Sequence, residues 1–333
     1  MIKYQITIVI LAIVLFTGCG TSINLTKYSP MPLQKAQHIP SKEKLLSNSL
    51  YKVIIMDIDN GGMEIAEQSK LGTTIATNIN TLLAKAKSVK LIKRVNKSSY
   101  LKMLEKEIEA SELSKELGTD VGQADYIITG KLSNATYDHS FQEGYYYYIK
   151  TKKGKIRKYS SPRMRYSSCA SGNIKIFSLP TLNEADSFDF HKCSGKSTEV
   201  RSSRDVVRRN DGLVRESGVR SAYSVSYPLK NFFAKKGYIY EMKSDDGDKI
   251  VKVNLGTNHG AVEGEDIDIY SIEDSYNSLT EETKKETVKI GVGQISNQLT
   301  TTSAWIIIDE LEDGKKIKAG NFVKIKYTKG FFD

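Results

Sequence analysis

The sequence predicts an α/β domain, a sheet with covering helices, followed by a small all-β barrel, and three observations predict it. Between residues 50 and 130, nearly continuous apolar runs alternate with stretches whose apolar residues recur at intervals of three and four. From Gly237 onward the helical period disappears, and short apolar runs are separated by Gly-marked turns. The first fifty residues show neither pattern after an initial apolar run. Strand–helix alternation builds a sheet covered by helices, whereas evenly spaced short strands build sandwiches or barrels.

Residues 1–18 have the layout of an export signal. Lys3 supplies a positive flank, residues 6–16 form an apolar run broken only by Thr7, and Thr17-Gly18 lead into Cys19. Crossing a bilayer takes about 20 apolar residues, so this shorter run suits a signal core. Small residues ahead of a cysteine resemble the lipobox cut by signal peptidase II, which makes Cys19 the candidate lipidation site. Gly20 follows where an Asp would mark inner-membrane retention, so the expected location is the outer membrane, periplasm-facing and lipid-anchored. Acyl chains contribute about 0.8 kcal/mol per buried CH2, and several make an anchor effectively permanent. Residues 19–49 are polar, carry Pro30, Pro32 and Pro40, and are expected to form a lipidated tether, a coil of about 30 Å.

The domain over residues 50–236 begins with Val53, Ile54, Ile55, Met56 and Ile58, a buried strand ending at the turn Asn60-Gly61-Gly62. Leu71, Ile75, Ile79, Leu82, Leu83 and Ala86 then mark one face of a helix. Residues 89–95 read as a second strand. Ser98 caps a further helix carrying Leu101, Leu104, Ile108, Leu113 and Leu117, with Gly118 as its stop. A third strand begins at Asp125. The domain over residues 237–333 reads as strands near 238–242, 250–255, 267–272, 288–295, 304–308 and 322–327, with a charged segment before the fourth.

Lys93-Arg94-Val95 before a Leu/Glu-rich helix, then Ala124-Asp125-Tyr126-Ile127-Ile128-Thr129-Gly130, resemble the CsgG family of curli production assembly/transport component-like outer-membrane lipoproteins. The run Asn173-Ile174-Lys175-Ile176-Phe177-Ser178-Leu179-Pro180-Thr181-Leu182-Asn183-Glu184 is similar to that family's hairpin. The resemblance spans about residues 50–236. Asn254-Leu255-Gly256, Gly260 and Glu263-Gly264-Glu265 resemble the C-terminal SH3-like domain of the flagellar protein FlgT. The resemblance implies two insertions, near residues 138–166 and 196–221, which in the curli channel become membrane hairpins.

A hairpin turning at Thr181 pairs residues whose numbers sum to 362, and Cys169 with Cys193 satisfies that sum, as Ile174 with Phe188 does. Opposed cysteines in an antiparallel pair lie about 5 Å apart at Cα, within disulfide reach. The periplasm is oxidising, so a disulfide is expected, with free core thiols as the alternative. His191 beside Cys193 raises zinc or a Cys–His nucleophile, but a closed zinc site wants about four ligands and only three candidates exist. Asp57-Ile58-Asp59-Asn60-Gly61-Gly62 mimics the start of a calcium loop, yet Gln68 stands where the bidentate carboxylate belongs. No G-x-S-x-G, H-E-x-x-H or P-loop occurs. No catalytic residues, metal or cofactor are therefore expected, and the chain is not expected to be an enzyme.

The 333 residues carry a net charge of +10, or +9 once Lys3 leaves with the signal. Lys150, Lys152, Lys153, Lys155, Arg157 and Lys158 follow the run Tyr145-Tyr146-Tyr147-Tyr148 and are the candidate anionic-partner site, continued by Arg163 and Arg165. Arg201, Arg204, Arg208, Arg209, Arg215 and Arg220 form a second basic stretch. For an exported chain the partners these suit are lipopolysaccharide phosphate, anionic lipid, sugar or an acidic protein, not nucleic acid, and a solvated insertion loop is the equal alternative.

The function expected is assembly or export of a cell-surface structure at the outer membrane, by oligomerisation and docking of periplasmic or surface-structure proteins. A secretion pore and an activator of a peptidoglycan synthase are the alternatives. Neither residue parity from Tyr145 stays apolar past five residues, so no membrane-spanning strand is expected there. Cys19→Ser should leave the precursor uncleaved and unlabelled by a palmitate analogue; equal labelling of the variant would remove the lipidation reading.

Overall fold

The computed structural model describes residues 22–41, 50–92, 124–204 and 209–328. In chain order the elements begin with β1 (Ser29–Met31), β2 (Tyr51–Ile55), α1 (Glu64–Gln68), α2 (Leu71–Ala84) and β3 (Val89–Leu91). Then come β4 (Tyr126–Gln142), β5 (Tyr145–Thr151), β6 (Gly154–Ser160), β7 (Arg163–Ser178), β8 (Asn183–Glu199), α3 (Asp211–Ser224) and α4 (Ser226–Phe232). The chain closes with β9 (Lys236–Asp245), β10 (Asp248–Val253), β11 (Asp266–Asn277), β12 (Glu282–Leu299), β13 (Ala304–Leu311) and β14 (Phe322–Ile325). They divide into two compact units, Leu50–Phe232 and Phe233–Asp333 with Met1–Ser49.

The first unit is a five-stranded sheet in the order β3-β2-β4-β7-β8, with β2 parallel to β3 and β4 and the rest antiparallel. Val53, Ile54 and Ile58 are buried, and Leu71, Ile75, Ile79 and Leu83 of α2 are fully buried on the face their spacing predicts. Burying each of these side chains is worth about 1.5–3 kcal/mol, which makes this stripe the main reason α2 forms here. The turn after β2 holds α2 from outside: Asn60 Oδ1 accepts the Gly72 N–H at 2.9 Å, and Asp59 Oδ1 accepts the Gly61 N–H at 2.8 Å. The calcium-loop resemblance is thus a helix-fixing turn, with Gly61 and Gly62 at positive φ.

Helix α3 has little apolar stripe, and its period escaped the sequence reading. It starts where Asn210 Oδ1 accepts the Leu213 N–H at 3.2 Å, and its inner face is made mostly of Ser217, Gly218, Ser221 and Ala222, all buried. A Cβ on Gly218 would stand 2.5 Å from Leu71 Cδ1, so α3 approaches α2 closely at this glycine.

The α/β expectation is corrected in proportion: the described chain is mostly β, with four helices among the described residues. The helix expected at 98–118, and Lys93-Arg94-Val95, lie outside the described residues. The third strand runs on to Gln142, and residues 211–221, expected within an inserted segment, belong to α3.

In the second unit β9-β10-β13-β12-β11-β14 form a closed ring, sealed by β14 pairing with β9. Its core holds Ile239, Val251, Val253, Ile267, Ile269, Ile295, Ile306 and Val323. The charged segment expected between strands is the outer arm of the β11–β12 hairpin, where Asp274 opposes Lys285. Strand β14 is short and covers only Lys236, Gly237 and Tyr238 of the β9 edge. Strand β1 takes the next stretch of that edge, pairing Ser29, Pro30 and Met31 with Ser244, Lys243 and Met242.

Residues 22–41, expected as a free coil, are therefore part of this unit. Ile23 is buried with Ile250 and Trp305, and its N–H donates to Asn297 Oδ1 at 2.9 Å. The Ala36 N–H donates to the Ala319 carbonyl at 2.8 Å, and His38 lies 2.7 Å from Asp274. The prolines that suggested a tether sit in a chain that needs few N–H donors of its own.

His259 is buried beside the loop after β10, and its Nδ1 accepts the Gly256 N–H at 3.1 Å. Burial, and then the Lys235 charge, hold its pKa below the ordinary histidine value. As the folded value is the lower one, the unfolded chain takes up the proton first. Neutral His259 thus contributes stability above the ordinary value, and that stability is lost as pH falls through it. Thermal unfolding of His259→Gln should depend less steeply on pH than the parent between about pH 7 and 5; an unchanged slope would exclude this group. Gly72 gives a second test, because a Cβ there would meet the Ile58 carbonyl at 1.9 Å. Gly→Ala inside a helix normally gains up to about 1 kcal/mol. Here Gly72→Ala should instead lose about 2 kcal/mol or more in denaturant melts, whereas Gly195→Ala, with its nearest neighbour at 3.5 Å, should be near neutral.

Candidate functional site

Strands β4 and β7 pair without interruption of direction from Tyr126 opposite Ser178 to Gln142 opposite Arg163. The chain then continues the same excursion as a separate two-stranded hairpin, β5 with β6. At the junction, a Cβ on Gly144 would stand 2.2 Å from Tyr159 Oη, so glycine lets that tyrosine lie across the break. The six cations of the anionic-partner site, Lys150, Lys152, Lys153, Lys155, Arg157 and Lys158, all lie on this hairpin.

Directly opposed residues of an antiparallel pair share a face. One face carries Tyr146 with Tyr159, Tyr148 with Arg157, and Lys150 with Lys155; the other carries Tyr147 with Lys158 and Ile149 with Ile156. The Tyr146 and Tyr159 ring centroids are 4.9 Å apart, and the Arg157 guanidinium sits 3.7 Å over the Tyr146 ring. Thr151 Oγ1 donates to the Gly154 carbonyl at 2.8 Å, closing the turn through Lys152 and Lys153. Both faces are exposed: Tyr148 is 66% and Tyr146 58% accessible, and Ile156 50%. Among the described residues none of the six cations is in an ion pair.

The second basic stretch is different in kind. Arg209 pairs with Asp211 at 2.7 Å and Arg220 with Glu216 at 3.0 Å, both at or on α3. Arg208 lies outside the described residues, as does Cys19.

Cys169 and Cys193 are directly opposed and form a disulfide, with their Cα atoms 4.0 Å apart. The pairing sum holds for a reason the sequence did not show. The turn lies between Ser178 and Asn183, one half-step before Thr181, and a bulge at Ile176/Phe177 restores the sum of 362 beyond it. His191 Nδ1 lies 2.7 Å from Ser171 Oγ and its Nε2 3.9 Å from Cys193 Sγ, a sulfur already committed to the bridge. No metal-holding cluster occurs among the described residues.

Two concavities accompany the ribbon, and neither was legible in the sequence. One, of about 640 Å³, is bounded by Asp57, Asp59, Glu67, Lys131, Lys175 and Phe177. Several of its polar groups are already partnered: Lys175 with Glu184 at 2.7 Å, Asp57 with the Thr73 hydroxyl, and Asp59 with the Gly61 N–H. The other, of about 510 Å³, lies over the outer ribbon among Asp138, His139, Arg165, Tyr166 and Lys196.

The chain matches no protein-family model and no curated protein sequence. Among solved structures it is similar to a hypothetical protein of Chlamydia trachomatis, at 11% identity and a TM-score of 0.32, over 56% of this chain and 98% of that one. It is also similar to the PelC dodecamer of Paraburkholderia phytofirmans, at 11% identity and a TM-score of 0.26, over 58% and 92% of the two chains. A putative neuraminyllactose-binding hemagglutinin homolog of Helicobacter pylori aligns at 13% identity and a TM-score of 0.28, over 61% and 93%. Likenesses this loose carry no function across to this chain.

The disulfide closes a span with a sequence separation of 24. Removing a bridge over a loop of that size costs about 3 kcal/mol in the chain-entropy account. Cys169→Ser with Cys193→Ser should lower stability by about that amount in urea melts, and mass spectrometry of non-reduced peptides should find the bridge in periplasm-derived parent protein. Freely alkylated thiols in that protein would refute it.

Proposed function

We propose that this chain is a non-catalytic, lipid-anchored component of an assembly or export apparatus at the outer membrane, acting by oligomerising and docking partners. The observation that carries the reading is the place where the chain leaves the barrel. Ser22 is already packed against Asn297, whose Nδ2 donates to Ser22 Oγ at 3.1 Å. Cys19 precedes it by three residues, a reach of about 11 Å at full extension. An acyl group on Cys19 would hold the barrel unit at the bilayer surface, with no long tether between them. A folded module fastened this closely suits a scaffold fixed to the membrane better than an enzyme that diffuses to its substrate.

Two further features support the reading. Strand β8 spans seventeen residues and, among the described residues, is hydrogen-bonded only along its β7 side. Long open edges pair readily with another copy of the same chain, which supports oligomerisation. The sequence motifs that resemble the CsgG family and FlgT point the same way. No described helix is long and apolar enough to cross a membrane.

The pore alternative would require β5 and β6 to face lipid. Lys or Arg facing lipid near the bilayer midplane costs about 2–4 kcal/mol each, and β5–β6 carries cations on both faces. Fractionation should place the full-length protein in outer membranes, light scattering should give a multimer, and planar bilayers should show no conductance. A Cys19→Ser variant that still fractionates with outer membranes would overturn the anchoring. A strictly monomeric protein would overturn the scaffold, and stable single-channel currents would restore the pore.

A further inference from the structure

The β5–β6 hairpin is unusual for a surface element because, among the described residues, nothing covers either of its faces. Every residue of β5 is exposed, and all of β6 up to its last residue. A two-stranded ribbon with no covering layer is marginally stable in water. Yet both of its faces carry large aromatic or aliphatic side chains, Tyr146, Tyr148 and Tyr159 on one and Tyr147, Ile149 and Ile156 on the other. A docked protein would ordinarily cover one face and leave the other in water. A medium that surrounds the ribbon would satisfy both.

The charges narrow that medium. Residues 145–160 contain six cations and no carboxylate. They are ordered along the ribbon: the tyrosines stand at its base and most of the cations toward the turn, with Ile149 opposite Ile156 between them. Tyrosine rings with a polar tip, interleaved with lysines, suit the headgroup layer of a bilayer, where ring and stem are half-buried and the charge meets phosphate. The same cations forbid passage through the hydrocarbon. The ribbon therefore belongs in the headgroup layer, not across the membrane.

We propose that the β5–β6 hairpin is a second membrane contact, docking into the anionic headgroups of a lipid bilayer. It rests on the anchored reading only in that a bilayer must lie within reach; the contact itself is made by the hairpin. Each Lys or Arg near an anionic surface contributes about 1 kcal/mol, a factor of about five. Neutralising three of them should therefore reduce docking on the order of a hundredfold, and salt should weaken it because such charges are screened.

Full-length protein carrying Tyr148→Trp tests this, since the only native tryptophan, Trp305, is 5% exposed. It is reconstituted into vesicles of phosphatidylcholine alone or mixed with phosphatidylglycerol. On the mixed vesicles the emission should move to the blue and gain protection from acrylamide, with reversal by sodium chloride. On phosphatidylcholine alone it should do neither. Adding Lys150→Gln, Lys152→Gln and Lys155→Gln should abolish the shift, and Tyr146→Ser with Tyr147→Ser should weaken it at unchanged charge. An equal shift on both vesicle types, or one that survives the three Gln substitutions, would overturn the proposal. So would release by inorganic phosphate beyond that caused by chloride at matched ionic strength, which would assign the site to free phosphate. A shift with poly-glutamate and none with mixed vesicles would assign it to an acidic protein. Flotation with phosphatidylcholine vesicles reports the Cys19 anchor separately, so an inert hairpin on a floating protein sinks this proposal and leaves the anchored reading standing.

Discussion

The antiparallel register of β4, β7 and β8 is the constraint on which the first unit depends. Side chains alternate across a strand, so a slip of one residue would turn the whole β7 set over. In the register adopted, Ile174 and Ile176 are buried in the core, while Asn173, Lys175 and Phe177 line a concavity. Between β7 and β8 a bulge at Ile176/Phe177 sets the partner register, and the disulfide between Cys169 and Cys193 fixes that register further along the pair. The bridge stands beside Ser168 and Ala170, which are buried under α3, where Ser168 Oγ lies 3.5 Å from Ser217 Oγ.

The ribbon's length then has a consequence for its surface. Met164 and Ser168 are still buried, but the strand positions beyond them lose one covering face and then the other. Past Gly144 the described residues supply no packed layer, and the chain keeps its pairing through cross-strand Tyr and Ile contacts and a cation over a ring. Cation–π contacts at exposed sites are worth about 0.5–1 kcal/mol, too little to order an isolated hairpin firmly. A hairpin of this kind gains most of its order from whatever it docks into, which links its weak local stability to its binding chemistry.

The barrel shows a parallel economy of edges. Strand β14 covers only part of the β9 edge, and β1 covers the next part. The ring is closed by β14, and β1 covers the β9 edge that β14 leaves open. Pulling residues 22–41 away would expose Ile23, Trp305 and the β9 edge together.

Periodicity alone determined much of this protein. The α2 stripe from Leu71 to Leu83, the apolar run of β2 and all six strands of the barrel are readable because burial of one face imposes a period of two or three to four on the residues themselves. The Cys169–Cys193 pairing followed from hairpin arithmetic about Thr181, but it holds because a bulge at Ile176/Phe177 offsets a turn centred half a step earlier. Other features have no local signature. Helix α3 packs by small residues, so its inner face, Ser217, Gly218 and Ser221, reads as polar in sequence. Residues 22–41 read as a coil because their partners, Asn297, Trp305 and Ala319, lie far along the chain. The cations of 150–158 were visible as a cluster, but only the tertiary structure could show a ribbon with two exposed faces, because exposure depends on which neighbours fail to arrive.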